Sequence, residues 1–196
     1  MSEINKMKDY AHKNNVPIMQ DEGIKFLCDL VKTRNCRSIL ECGTAIGFSS
    51  ICMAKINPEI KIDTCEINVG LIEIARKNIQ EENCENQIEV HHCDAAIFQT
   101  TKKYDLIFVD AAKAQYKKYM DHFMENLSET GVFVFDNLNF HGLVDNPEMT
   151  KSRNTKALVR KIKNFRDLIL EDKNLNTCFY PNIGDGIAVV EVKKVL

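Results

Sequence analysis

The chain has 196 residues, 44% of them hydrophobic and 28% charged, which suits one soluble domain with a substantial core. Its 26 Lys and Arg against 28 Asp and Glu leave a net charge of −2, which argues against a nucleic-acid-coating protein of histone type but leaves room for a locally basic surface. The 8 cysteines include no Cys-x-x-Cys pair, residues 1–15 lack an apolar signal core, and no apolar run approaches the ~20 residues of a membrane span; the expectation is a reduced cytoplasmic protein whose cysteines act as small apolar side chains.

Residues 1–35 read as an N-terminal helical cap on an α/β core at 36–196, together one domain. Ile4, Met7 and Ala11 recur at helical spacing and offer a face to a neighbouring subunit. A second helix is marked by Ile24, Leu27, Cys28 and Val31, with Asp21 placed to cap it. A short strand, Ser38-Ile39-Leu40, ends at Glu41 and a glycine-containing turn; a helix over 48–56 is stopped by Asn57-Pro58. Residues 60–65 form a strand, and Asn68 caps a helix with Ile72, Ala75 and Ile79 on one face. Strands at 87–92, 104–109 and 131–135 follow, with a helix over 115–127 between the last two and a long helix over 154–170 after them. Strands at 177–180 and 187–192 flank Gly184-Asp185-Gly186 and are short-range antiparallel neighbours. The alternation predicts a doubly wound, mostly parallel seven-stranded α/β sheet with a C-terminal antiparallel pair.

Such sheets bind ligands at the carboxyl ends of their strands. The first strand ends in Glu41-Cys42-Gly43-Thr44-Ala45-Ile46-Gly47, where two glycines let a ligand approach the backbone, but a carboxylate replaces the first glycine of a dinucleotide motif and favours a cationic ligand. Glu66 closes the second strand, where an acid accepts ribose hydroxyls, and Asp94-Ala95 follows the third, placed to meet an adenine edge. These three ends together point to a nucleoside; singly, each acid reads equally well as a cap. The fourth and fifth strands end in Asp110-Ala111-Ala112-Lys113 and Asp136-Asn137, an oxygen-only set suited to Mg²⁺ or Ca²⁺. The plainer alternative pairs Asp110 with Lys113 and leaves Asp136 as a turn cap.

Glu41-x-Gly-Thr-Ala-Ile-Gly47, Glu66, Asp94-Ala95, Asp110-x-x-Lys113-x-x-Tyr116, Asp136-Asn137 and Gly184-Asp185-Gly186 together resemble the divalent-cation-dependent O-methyltransferases, which include the catechol and caffeoyl-CoA enzymes. The resemblance runs from about Val16 to the C-terminus and, through Asp136-Asn-Leu-Asn-Phe-His-Gly-Leu-Val144 and Pro181-Asn-Ile-Gly-Asp-Gly186, extends to the bacterial tRNA 5-hydroxyuridine methyltransferases. It implies a Rossmann-like class I methyltransferase fold, S-adenosylmethionine as cofactor and Mg²⁺, Ca²⁺ or Mn²⁺ as the cation. By position it makes Asp110, Asp136 and Asn137 the metal ligands and Asp110 and Lys113 the catalytic pair, with Lys113 as general base or orienting cation. Met19, Glu41, Gly43, Thr44, Gly47, Ser49, Glu66, Asp94, Ala95, Asp110 and Tyr116 would hold the cofactor, and a homodimer is implied. Cys42 and Cys93 depart from the aliphatic residue and glycine common in the family.

A metal of this kind chelates two vicinal oxygens, which both catechol and 5-hydroxyuridine offer, so the metal set does not choose the substrate. The segment 151–166 carries seven basic residues and no acid, leaving an excess of nine acids on the rest of the chain. At about 100° per residue, Leu158, Ile162, Phe165 and Ile169 share one face, and Arg153, Lys156, Arg160 and Lys163 share the opposite one. A solvated face is the ordinary meaning of such a run, but a single-signed stripe suits phosphates. The first expectation is therefore the wobble 5-hydroxyuridine of a tRNA anticodon, an unpaired base that enters a pocket without duplex opening, with Tyr116 and Phe140 as stacking candidates and His141 at the rim. The alternative is a small phenolic substrate, possibly linked to coenzyme A. A dehydrogenase of similar fold would leave Lys113 and Asp136-Asn137 without a role, and a non-catalytic RNA-binding module would leave Asp110 dispensable.

Overall fold

The computed structural model describes residues 3–193. Two helices, α1 (Glu3–Asn14) and α2 (Asp21–Thr33), precede β1 (Ser38–Cys42), α3 (Phe48–Ala54), β2 (Lys61–Glu66), α4 (Val69–Glu81) and β3 (Ile88–His92). The second half runs β4 (Tyr104–Val109), α5 (Tyr116–Phe123), β5 (Leu127–Phe135), α6 (Arg153–Glu171), β6 (Leu175–Tyr180) and β7 (Ile187–Val192). The sheet order is β3-β2-β1-β4-β5-β7-β6, parallel from β3 to β5, with β7 antiparallel to both β5 and β6. Strand order reverses between β1 and β4, and their carboxyl ends open the crevice where ligands bind in such sheets.

β1, β4 and the second half of β5 are apolar without alternation because both sheet faces are covered. One face packs Ile39, Phe108 and Val134 with α1, α2 and α3; the other packs Leu40, Ile107 and Phe133 with Tyr116, Phe123 and Phe165. Met7 and Ala11 are buried in the first of these clusters, with Ile4 packed against it, so the stripe expected to meet a neighbouring subunit serves the chain's own core. No helix among the described residues is long and apolar enough to cross a membrane.

Local expectations differ at a few ends. Asn68 caps α4 by accepting from Leu71 N at 3.2 Å, as its position predicts. Asp21 does not cap α2: Gln20 holds that position without a side-chain bond, and Asp21, inside the first turn, pairs with Lys8. α3 ends at Ala54, before Asn57-Pro58, and residues 124–126 tighten into a 3₁₀ turn, so that Leu127 begins β5. On α6 the buried stripe is Val159, Ile162, Phe165 and Ile169, with Leu158 half-buried beside it.

One polar cluster under the sheet bears on stability. Asp63 is 5% exposed and accepts from Lys102 Nζ at 2.9 and 2.8 Å, from His91 Nε2 at 2.8 Å and from Tyr104 OH at 3.0 Å. Burial pushes its carboxyl up, but these donors outweigh burial and hold it below its ordinary value of 3.8. Asp63→Ala leaves the wholly buried Tyr104 hydroxyl without this partner and is expected to cost about 3 kcal/mol at pH 7 by urea denaturation. Because the folded value is lowered, this contribution is complete above the unfolded value and is lost as pH falls through the folded one. The gap between wild type and Asp63→Ala should therefore begin to narrow below about pH 4 and shrink further as pH falls, and a gap unchanged at pH 3 would contradict this assignment.

Candidate active site

The strand ends on either side of the β1–β4 reversal meet in one cavity of about 480 Å³, a size that accommodates a nucleoside-sized ligand. Its geometry depends on Gly43, at φ +100°: a β-carbon there would stand 2.4 Å from the carbonyl oxygen of Asp110. No other residue allows the β1 turn to lie against the end of β4 in this way. Gly47, at φ +82°, lies at the N-cap of α3 and is not part of the wall.

Met19, Gly43, Thr44, Ser49, Glu66, Asp94 and Ala95 all line the cavity. Glu66 is oriented by backbone donors: Ala45 N reaches Oε2 at 3.0 Å, and Ile67 N and Asn68 N reach Oε1 at 2.9 Å. Asp94 Oδ1 accepts from Ala96 N at 2.9 Å. Thr44 shares a 2.7 Å hydroxyl contact with Thr64.

Glu41 does not face the cofactor space. It is 0% exposed, behind the wall, and accepts hydroxyl hydrogen bonds from Ser49, Ser50 and Thr64, the last at 2.6 Å. Burial pushes its carboxyl up to about 7 despite these donors. Of its partners, Ser49 is the one that also lines the cavity. Tyr116 is likewise buried beneath the site, donating its hydroxyl to Asp136 O at 2.7 Å, and Phe140 packs on the core; neither lines the cavity, so neither serves there as a stacking platform.

At the ends of β4 and β5, Asp110, Lys113, Asp136 and Asn137 line the same cavity. Lys113 Nζ donates to Asn137 Oδ1 and stands 3.6 Å from Asp110 Oδ1. Asp136 Oδ1 accepts from Asn137 N at 2.7 Å. Burial raises the Asp110 carboxyl, with Lys113 opposing. Burial, followed by the charge of Asp110, pushes Asp136 up to about 7. Two buried carboxyls of raised proton affinity, Asp136 raised further by the charge of Asp110, stand beside an amide oxygen as a hard donor set that fits a divalent cation; the Lys113 ammonium bridges part of it.

The cavity also includes residues that the strand-end reasoning did not single out. Ile67, 68% exposed, follows Glu66 directly, and Leu71 and Tyr119 complete an apolar wall on the nucleoside side. Ile67 was legible as the residue after the strand-ending acid; Tyr119 was not, because its burial reads as core. Asp185 enters from the β6–β7 turn and His141 lies on the wall, its ring 73% exposed.

Arg153, Lys156, Arg160 and Lys163 do not reach this cavity. They converge on a second groove of about 640 Å³ between α6 and residues 144–148, together with Val144, Pro147, Ala157, Val159 and Glu148. Among the described residues only Lys163 of the four has an ion-pair partner, Asp167 at 2.7 Å. The seventh basic residue of the run, Arg166, is buried and paired with Asp145.

The O-methyltransferase family matches residues 1–194. The chain is 29% identical to caffeoyl-CoA O-methyltransferase 2 of Populus trichocarpa, over 96% of this chain and 80% of that one. Among solved structures, a Staphylococcus aureus protein assigned as a caffeoyl-CoA O-methyltransferase superposes with a TM-score of 0.92 at 33% identity, covering 99% of this chain and 93% of that one. An O-methyltransferase of Bacillus cereus in complex with SAH superposes with a TM-score of 0.83 at 25% identity, covering 98% and 91%. The chain belongs to the O-methyltransferase family, as an S-adenosylmethionine-dependent enzyme of the caffeoyl-CoA O-methyltransferase type.

Proposed function

We propose that this enzyme methylates one of two vicinal oxygens on a small catechol-like or phenolic substrate, with a divalent cation chelating both oxygens. The observation that carries the reading is the joining, in one cavity, of Glu66 and Asp94 with the oxygen-only set Asp110, Asp136 and Asn137. The similarity to plant and Staphylococcus aureus proteins named for caffeoyl-CoA supports a phenolic substrate and extends the proposal to coenzyme A-linked ones.

Met19, Gly43, Ser49, Glu66, Asp94 and Ala95 hold S-adenosylmethionine in this reading, with Glu66 fixed toward the ribose by three backbone N–H groups. Asp110, Asp136 and Asn137 would hold Mg²⁺, or Ca²⁺ or Mn²⁺. Such a cation supplies a lowered hydroxyl pKa and a fixed orientation of the two substrate oxygens. Lys113, at the edge of that donor set, takes up the hydroxyl proton or orients the oxyanion. Ile67, Leu71 and Tyr119 provide the apolar lining on the nucleoside side of the cavity in this reading.

A second reading keeps the same site but takes the wobble 5-hydroxyuridine of tRNA, whose 5-hydroxyl and 4-carbonyl are also vicinal. The observation favouring it is the convergence of Arg153, Lys156, Arg160 and Lys163 on one groove, where phosphates would find four cations. A homodimer and a cytoplasmic location complete the proposal.

Incubation of the enzyme with labelled S-adenosylmethionine and Mg²⁺, beside a catechol and a tRNA carrying 5-hydroxyuridine, separates the two: label is expected on the catechol, and label confined to tRNA would replace the first reading by the second. Asp110→Ala should abolish transfer while cofactor binding by calorimetry persists; activity that survives both this change and a chelator overturns the cation-dependent reaction. Arg160→Glu should leave catechol turnover untouched. If tRNA is the substrate, the same change raises its KM and lowers the salt slope of tRNA binding by about 1.

A further inference from the structure

The segment 137–145, which follows Asp136 and supplies Asn137 and His141 to the cavity, has an unusual backbone. Asn137, Phe140 and His141 have φ of 59, 45 and 58°, and Gly142 has 77°. Three non-glycine residues in the left-handed region persist only where the surroundings over-determine them. Part of that determination comes from the β6–β7 turn. Leu138 N donates to Gly186 O at 2.9 Å and Asn139 N to Asp185 O at 2.8 Å; His141 N donates to the Asp185 carboxylate at 2.7 and 3.0 Å. Asn139 Nδ2 donates to Pro181 O at 2.6 Å.

Within the segment, Val144 N donates to Asn139 O at 3.1 Å and Leu143 N to Phe140 O at 3.0 Å, and a side-chain anchor comes from α6. Arg166, 8% exposed, joins Asp145 through both guanidinium branches, with Nη1 to Oδ2 at 3.2 Å, and the same Nη1 lies 3.4 Å from Asn139 Oδ1. One planar fork thereby adds a side-chain tie between positions 139 and 145 to the backbone closure of the loop, while Phe179 supports the guanidinium from below at 5.5 Å. Arg166 lines neither the catalytic cavity nor the α6 groove. Its partner Asp145 has a side chain 58% exposed, so the pair is not needed to neutralise a buried acid.

We infer that Arg166 is a positioning residue for the methyl transfer: by clamping Asn139 and Asp145 from outside the cavity, it sets where Asn137 and His141 stand within it. The part concerning Asn137 rests on the cation site proposed above, and the part concerning His141 does not. A side chain that fills the same space without the fork, methionine, keeps the contact with Phe179 and leaves Asp145 to solvent, so the loop loses its tie to α6 while its backbone bonds and the core are retained. Lysine restores the charge but reaches one partner only.

The test uses the full chain with Arg166→Met, Arg166→Lys and Asp145→Asn, the last being a change on a half-exposed loop residue that does not threaten folding. Four readouts apply: melting temperature, SAH affinity by calorimetry, Mn²⁺ affinity by electron paramagnetic resonance, and the ring NMR signals of the chain's 5 histidines, with His141 assigned through His141→Asn. In Arg166→Met and Asp145→Asn, SAH affinity should stay at the wild-type value, Mn²⁺ affinity should fall about tenfold, and the His141 signal alone should move. Arg166→Lys should lie between. Unchanged Mn²⁺ affinity with an unmoved His141 signal overturns the proposal, as does a joint fall of melting temperature, SAH affinity and Mn²⁺ affinity in both Arg166→Met and Asp145→Asn. If Arg166→Met does not fold, Asp145→Asn decides alone. Wild type that binds no Mn²⁺ refutes the cation site instead, and the His141 signal then decides the role of Arg166.

Discussion

The site depends on how closely two strand ends approach one another. Gly43 follows β1 and packs its α-carbon against the carbonyl of Asp110 at the end of β4, where a β-carbon would meet the oxygen at 2.4 Å. This contact crosses the reversal in strand order, so it joins the half of the sheet that presents Glu66 and Asp94 to the half that presents Asp110 and Asp136. A larger residue would pry the halves apart and separate a sulfonium donor from an acceptor oxygen. In-line transfer tolerates little such separation, because a displacement near 1 Å can cost on the order of 10² in rate.

Acids buried along those strands are handled in three different ways. Asp63 is neutralised by Lys102 and fully hydrogen-bonded, so its burial contributes to the fold. Glu41 has hydroxyl partners only; three short polar side chains satisfy it, and burial still pushes it to about 7. Asp136 is pushed as high by burial and by Asp110, with only Lys113 as a nearby cation. The first arrangement is complete in the protein alone. The last differs: Lys113 stands 3.6 Å from Asp110, and the buried Asp136 beside that acid keeps a raised proton affinity, an arrangement whose donors fit a divalent cation. The contrast assigns Asp63, with Glu89 and His91 near it, to structure, although these three side chains also lie close enough together to suggest a metal.

The sequence patterns that gave the fold were those with a single physical meaning. Apolar runs at 104–109 and 131–135, short and bounded by turns, are strands covered on both faces, and Asn68 ahead of an amphipathic stretch is a cap, whereas Asp21 in a similar position lies one residue inside its helix. The acids at strand ends were legible because α/β sheets place such residues where ligands bind. Orientation within a strand end was not legible: Glu41 and Glu66 both end strands, yet Glu41 turns inward because Ser49, Ser50 and Thr64 meet it there, and those partners come from a different helix and strand. Tyr116 and the Ile4–Met7–Ala11 stripe were misplaced for the same reason, since an aromatic or apolar side chain packs equally well on a ligand, a second chain or its own core.

The long basic helix shows how one sequence pattern divides into two physical roles. Seven cations along 151–166 read as one stripe, but the helix rotates Arg166 onto the buried face with Val159, Ile162 and Phe165, while Arg153, Lys156, Arg160 and Lys163 stay on the groove side. A buried guanidinium is unfavourable unless its donors are met, and they are met by Asp145 and Asn139, the two ends of the loop that leads from Asp136. That loop has Val144 on the α6 groove and His141 on the catalytic cavity, so it forms the partition between them. A ligand in the groove would therefore meet a wall whose other face carries Asn137 and His141, and that wall is held both by its hydrogen bonds to the β6–β7 turn and by Arg166, the one cation of the run that α6 turns inward.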